Sequence, residues 1–358
     1  MPWQVTCFLN NAKGLIPFRD QLRRLKRSLC GFEPGAERDA WTIREGIKQI
    51  NSLRPHVDLH SATVLEVGSG WQPLIPMLFS LAGARRVIMT DLNPLLDLVS
   101  FRASVKSLVA NEAVIQSELG IDPAHLQEFV REARADGKLD EVLGRLRMEY
   151  RAPCDMRQSG MAPGSVDVVV SRAVLEHIPP EVIQGIFIET ARILKPGGIT
   201  CHLIDNSDHW EHVDHSLSRI NFLKYSDAAF RLTYISDLHY QNRLRHSQYR
   251  QMLDKAGLEV VVEETEVDDK AQASLQKMTL APRFRQFSEV DLATITSFYI
   301  ARPAAAVAEA APAGAQWQAS LSAAAAAAGS GTRPTFHRPP AASSGDTSPQ
   351  PSRPATHD

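Results

Sequence analysis

The chain has 358 residues, 44% of them hydrophobic and 22% charged, with a formal net charge of -2. That balance is ordinary for a globular protein. It lacks the basic footprint that bulk DNA or RNA or an anionic membrane surface requires, so neither is expected as a partner. Four cysteines, Cys7, Cys30, Cys154 and Cys201, are scattered without a CxxC pair; they predict no zinc knuckle and no disulfide framework, and read as reduced thiols of a cytoplasmic protein. No apolar run reaches membrane-spanning length, and no signal-type apolar core follows a basic start.

Residues 1–60 read as an N-terminal helical cap. Within it, Phe18–Leu29 carries Arg19, Arg23, Arg24, Lys26 and Arg27 among leucines, the pattern of an amphipathic helix with a solvated basic face. Ala40–Leu53 is a second helix candidate, with Trp41, Ile43, Ile47 and Ile50 at near-helical spacing.

Thr63–Gly70, TVLEVGSG, is a short β-prone run that closes on two glycines. It reads as a buried parallel strand entering a tight turn that a ligand can approach closely. Leu74–Leu81 follows as a helix, Arg86–Thr90 as a strand, and Asp91 ends that strand. Strand, glycine turn, helix, strand, acid is the layout of a nucleotide-binding βαβ unit, in which the acid takes ribose hydroxyls. Two features argue against a pyrophosphate: no third glycine stands in phase after Gly70, and Glu66 puts a carboxylate beside the turn. A nucleoside that carries a cation and no phosphate suits such a turn better.

Pro94–Val109 reads as the next helix. Residues 112–147 hold two further helical stretches, Pro123–Ala135 and Leu139–Arg147. A βαβ crossover needs one helix, so these form a helical insertion, hypothesised to stand as a lid or wall beside the pocket. Met148–Cys154 is a strand candidate that ends at Asp155, and Val166–Ser171, VDVVVS, is another. Pro180–Leu194 has an apolar helical stripe, Lys195–Gly198 (KPGG) reads as a turn that halts it, and Ile199–Ile204 as the strand after it. His239–Ala256 is read as one helix stopped by Gly257, and Leu258–Glu263 with Ala293–Ala301 as an antiparallel pair. The order is α/β with a mostly parallel core. From Pro303 to Asp358 alanine runs give way to Gly, Ser, Thr and Pro, which predicts a disordered tail.

Five pieces, VLEVGSG at 64–70, TD at 90–91, CD at 154–155, VDVVVSRAVLEHI at 166–178 and LKPGG at 194–198, stand in an order and spacing that resembles the class I S-adenosylmethionine-dependent methyltransferases over about residues 60–302. The resemblance implies a doubly wound, seven-stranded, Rossmann-like sheet with its last strand antiparallel, and S-adenosylmethionine across the carboxyl ends of the strands. It implies that Glu66, Gly68 and Gly70 bound the methionine part of the cofactor. Asp91 would hold the ribose, Asp155 the adenine amine with Met156 against the ring, and Ser171 with Arg172 the sulfonium end. Trp71 departs from the pattern, since many members carry a smaller residue there.

The expected activity is methyl transfer to an oxygen or nitrogen of a small-molecule acceptor. His177 follows the fourth strand, and the segment 206–222 packs Asp208, His209, His212, Asp214 and His215 after the fifth. His209, then His212, then His177 are the candidate bases. No strict metal motif is present and no metal is expected, although His209 and His212 on a helical face, completed by Asp208 or His215, would be the alternative. Asn242, Arg243 or Arg245 would reach the pocket rim, for an anionic acceptor, if the polar side of their helix faced inward. Two other functions compete: a non-catalytic binding module whose cavity is blocked by Trp71 or Trp210, and a nicotinamide-dependent oxidoreductase.

Overall fold

The computed structural model describes residues 6–7, 35–234 and 240–304. The basic Phe18–Leu29 helix and the tail beyond residue 304 lie outside the described residues. Seven strands, β1 (Thr63–Val67), β2 (Arg86–Thr90), β3 (Met148–Arg151), β4 (Val166–Arg172), β5 (Leu194–Asp205), β6 (Leu258–Val267) and β7 (Thr294–Pro303), form one sheet in the order β3-β2-β1-β4-β5-β7-β6. The first five pair in parallel, and β7 runs antiparallel between β5 and β6. The order reverses between β1 and β4, the switch point at whose carboxyl ends sheets of this kind bind their ligands.

Alternation along the strands builds a core on each side of the sheet. Val64, Val87, Val168 and Val170 face α1 (Ala36–Leu53), α2 (Leu74–Leu81), α3 (Leu98–Ala110), α4 (Glu112–Leu119), α5 (Pro123–Arg134) and α6 (Leu139–Arg145). Leu65, Ile88, Val169 and Ile204 face α7 (Pro180–Ile193) and, further along the chain, the helix at His246–Lys255. A third apolar cluster joins Trp210, Phe222 and Phe230 from the stretch after β5 to Leu275, Phe284 and Leu292 from the stretch between β6 and β7. It includes α8 (Asp227–Thr233) and, beyond α9 (His246–Lys255), the short helices α10 (Asp269–Leu275) and α11 (Glu289–Ala293).

Three local readings of the sequence need correction. The inserted helices are not a wall beside the pocket. Ile115, Leu126, Phe129 and Val142 are buried in the first core, and Ser80 Oγ donates to the Leu146 carbonyl at 2.7 Å, which ties the insertion to α2. Lys195–Gly198 is an excursion within β5: the register steps from Val166↔Leu194 to Val168↔Ile199, and Lys195 Nζ reaches Asp167 at 2.8 Å. Residues 240–245 are neither helix nor strand, and the helix begins only at His246. There the Asn242 carboxamide oxygen accepts the Leu244 N–H at 3.0 Å, an Asx-type turn that competes with helix. Gln248 Oε1 then accepts the Arg245 N–H and starts α9.

Candidate active site at the carboxyl ends of the sheet

β1 runs into the glycine turn with its end stapled to β2. The Thr90 carbonyl accepts from the Gly68 and Ser69 N–H groups, and Thr90 Oγ1 donates to the Glu66 carbonyl. Gly68 has φ +77° and Gly70 φ +60°, a region costly to residues with a Cβ. A Cβ on Gly68 would sit 2.5 Å from Val174 Cγ1, whereas one on Gly70 would meet nothing within 4 Å. Gly70 therefore borders open space, and its N–H donates to Asp91 Oδ2 at 2.9 Å. The other Asp91 oxygen accepts the Asn93 N–H, and burial raises the carboxyl's pKa. Glu66 is buried with Oε2 lacking a hydrogen-bond partner among the described residues. Burial, reinforced by Asp91, lifts its pKa to about 8.

The Cys154 N–H donates to the Asp91 carbonyl, which brings Asp155 and Met156 beside the β2 end. Met156 is buried in the second core. Asp155 is gripped by Arg157, whose Nε donates to Oδ1 at 3.0 Å and whose terminal nitrogen reaches Oδ2 at 2.6 Å. Arg157 lowers the pKa of Asp155. Glu66, Gly68, Gly70, Asp91, Asp155 and Met156 thus share one end of the sheet. Ser171 stands at the same carboxyl end, one residue beyond Val170, which is level with Glu66, but it is buried and its hydroxyl lies 2.8 Å from His202 Nδ1 on the neighbouring strand. The Ser171 carbonyl accepts from Gln49 of α1, and Arg172 pairs with Glu45 of α1 under the half-exposed Trp41 ring, so the helix docks across the β4 end.

The three candidate bases are neighbours, with the His212 ring 5.8 Å from that of His209. The His177 and His209 rings lie 4.9 Å apart. His177 Nδ1 donates to the Tyr240 carbonyl at 2.9 Å, and His209 Nε2 lies 3.3 Å from Asp205 Oδ2. Burial would raise the pKa of Asp205, but His209 and the Ser207 N–H outweigh it and hold the carboxyl at about 2. His212 and His215 are largely exposed beside Glu211, and 206–215 folds as successive turns rather than as a helix, so no shared helical face forms. Asp208 is buried as an anchor, accepting from the Trp210 N–H and the Tyr234 hydroxyl; burial pushes its pKa up to about 6. Trp210 is buried in the third cluster.

Two acids at this corner escaped the sequence reading. Asp205 ends β5, and Glu176 sits in the 3-10 turn Leu175–His177, fully buried, with neither carboxylate oxygen hydrogen-bonded among the described residues. Burial, with Asp205 adding to it, raises the Glu176 pKa well above its usual value. Its position immediately before His177 was the available signal. Arg243 and Arg245 are not at a pocket rim. Arg243 is buried against the Phe222 and Tyr225 carbonyls and Asp227, and Arg245 donates to the Asn206 carbonyl at 2.9 Å beneath the Phe222 ring.

Residues 104–201 match the family model of the methyltransferase domain. No curated protein matches the chain. Among solved structures it is similar to an S-adenosylmethionine-dependent methyltransferase from Methanosarcina mazei, at 13% identity and a TM-score of 0.43 over 71% of this chain and 97% of that one. A protein from Pyrococcus horikoshii OT3 aligns at 12% identity and a TM-score of 0.40 over 73% and 90% of the two chains. An S-adenosylmethionine-dependent methyltransferase from Mesorhizobium loti aligns at 14% and 0.38 over 71% and 97%. Likenesses this distant say nothing of acceptor or mechanism. The domain match covers residues 104–201, and the sheet has seven strands in the order β3-β2-β1-β4-β5-β7-β6, mostly parallel with β7 antiparallel. Among the described residues no helix is long and apolar enough to cross a membrane.

Proposed function

We propose that the chain transfers a methyl group from S-adenosylmethionine to an oxygen or nitrogen of a small-molecule acceptor. The observation that carries this is the Gly70 N–H bond to Asp91, which couples an acid-bearing glycine turn to a ribose-type carboxylate beside open space. The residues fit this cofactor. Glu66, buried with one oxygen unpartnered among the described residues, suits a ligand cation; Asp91 retains acceptor capacity for hydroxyls; Asp155 and Met156 supply a polar edge and an apolar face for a base. Bound there, the cofactor supplies an electrophilic methyl group whose sulfur leaves as a neutral thioether when the acceptor's lone pair attacks carbon.

The chain's own residues must align the acceptor, exclude water and take its proton. His209, oriented by Asp205, is the group assigned to the proton; His177 shapes the same wall. His212, exposed on the loop, has a lesser claim. Calorimetric titration with S-adenosylmethionine, its demethylated product and NAD tests the cofactor. Tight NAD binding with no affinity for the other two would replace this reading with an oxidoreductase. Incubation with methyl-labelled cofactor and a metabolite extract then identifies the acceptor by a mass gain of one methyl group, and no labelled product would favour a non-catalytic module. His209→Ala should leave cofactor affinity unchanged and slow transfer; an unaltered rate removes His209 from proton transfer.

A further inference from the structure

The corner where β4 and β5 end concentrates more ligating capacity than its hydrogen bonds use. Glu176 is 1% exposed, and both of its carboxylate oxygens lack a hydrogen-bond partner among the described residues. One ligand atom each from Glu176, His177 and His209 lie within 4.8 Å of one another. Asp205 adds a second carboxylate 3.3 Å from His209 Nε2. Two acids beside two imidazoles in a part-buried corner is a poor arrangement for the chain alone and a good one around a cation.

We infer that this corner is a divalent-cation site, with Glu176, His177 and His209 as ligands and Asp205 behind His209. Two imidazole nitrogens and one carboxylate favour zinc, cobalt, iron or manganese over magnesium or calcium. The surroundings are those of a prepared site. The His177 Nδ1–H is donated to the Tyr240 carbonyl, which leaves its lone pair on Nε2, and ligating histidines are commonly oriented in this way. Asn242 pins the turn that carries Glu176, since its side chain donates to the Leu175 and Ile178 carbonyls and its N–H to the Glu176 carbonyl. Exposure grades from buried Glu176 through His209 to exposed His177, so one side of the cluster opens to solvent and leaves room for a further ligand. Closing to bonding distance calls for a shift of the side chains.

The inference deepens the methyl-transfer reading and rests on it for its use. A cation here would bind an acceptor hydroxyl and lower its pKa, so that His209 serves as a ligand and not as the base. The acceptor class would then be one that presents a metal-binding hydroxyl.

The test uses the full chain, free of any histidine tag and stripped with a chelator. It should bind one Co2+ per chain, with the visible absorption of nitrogen and oxygen coordination, and Zn2+ should displace it. His177→Ala and Glu176→Gln should each weaken Co2+ by at least the 10–100-fold that loss of an outer-shell partner costs, while exposed His215→Ala changes nothing. His177 lies at the surface, so its variant keeps the fold even where Glu176→Gln does not. Absence of saturable binding, or binding that survives both variants or is lost with His215, overturns the site. S-adenosylmethionine affinity of the stripped chain is read in parallel. Its loss counts against the methyltransferase reading, whereas retained affinity with no Co2+ binding overturns the cation site alone and returns His209 to the role of base.

Discussion

Gly68 and Gly70 stand two residues apart with similar positive φ, yet the structure demands different costs for the same substitution. In either variant, alanine must adopt the left-handed region, worth about 1–2 kcal/mol. At Gly68 the new Cβ would also lie 2.5 Å and 2.8 Å from the two methyl carbons of Val174, on the turn that leads to Glu176. Overpacking of that kind adds about 1–3 kcal/mol. Gly68→Ala should therefore lower unfolding free energy by about 2–5 kcal/mol and Gly70→Ala by about 1–2 kcal/mol, read from urea midpoints at constant slope. Val174→Ala placed on Gly68→Ala should recover the steric part, giving a coupling of about 1 kcal/mol or more in a double-mutant cycle. Cofactor affinity should reverse the ranking per unit of stability lost, because the Gly70 Cβ would project into the open space assigned to S-adenosylmethionine. Equal destabilisation by the two variants, or no relief from Val174→Ala, would refute the steric argument. Unaltered S-adenosylmethionine affinity in Gly70→Ala would refute the placement of the cofactor.

Asp91→Ala should weaken S-adenosylmethionine by one or two charge-assisted hydrogen bonds, about 1.5–3 kcal/mol each; calorimetry showing unchanged affinity would remove it from the ribose site. Burial lifts Glu66 from its usual 4.5 to about 8, so between those values the folded chain holds a proton that the unfolded chain has released. Stability of the cofactor-free chain should fall as pH rises through that window, and Glu66→Gln should flatten the fall in a series of urea melts. Arg245→Ala should cost about 2–4 kcal/mol through a cavity and lost hydrogen bonds. Arg250→Ala, which loses only partly exposed pairs with Asp254 and Glu263, should cost about 0–1 kcal/mol; equal costs in thermal or urea melts would contradict the buried position of Arg245.

The glycine turn and the acids proposed to hold the cofactor could be placed at one end of the sheet because each lies within one short segment. A β-prone run, two glycines and an acid at the next strand end are local signals, and parallel pairing of β1 with β2 brings them together. The corner proposed for the acceptor could not be read that way, because it joins the turn at Leu175–His177, the loop after Asp205 and the irregular stretch 240–245. Single-segment patterns misled there. Tyr240, Leu244, Tyr249 and Leu253 fall near helical spacing, yet the Asn242 turn keeps the first two out of any helix. The cluster of His209, His212 and His215 looked like one unit, but successive turns leave only His209 facing inward, and its companions are the distant His177, Glu176 and Asp205.

The two buried arginines bear on what the acceptor can be. An anionic acceptor would have followed only if the polar side of a helix carrying Arg243 and Arg245 faced the pocket. Arg243 instead spends its guanidinium on two carbonyls and Asp227. Arg245 reaches the Asn206 carbonyl, the link between Asp205 and the loop that carries His209, and so braces the base and its carboxylate from behind. Arg250 pairs with Asp254 and Glu263 on α9 and β6. Arg245 alone braces the proposed acceptor corner, where Glu176, Asp205 and two imidazoles are gathered, while Arg243 and Arg250 are paired elsewhere. In the proposed site the ionised Asp205 would disfavour an anion and suit either a neutral hydroxyl compound or one held through a cation, so the charge of the acceptor and the metal content of the chain should be decided by the same titrations.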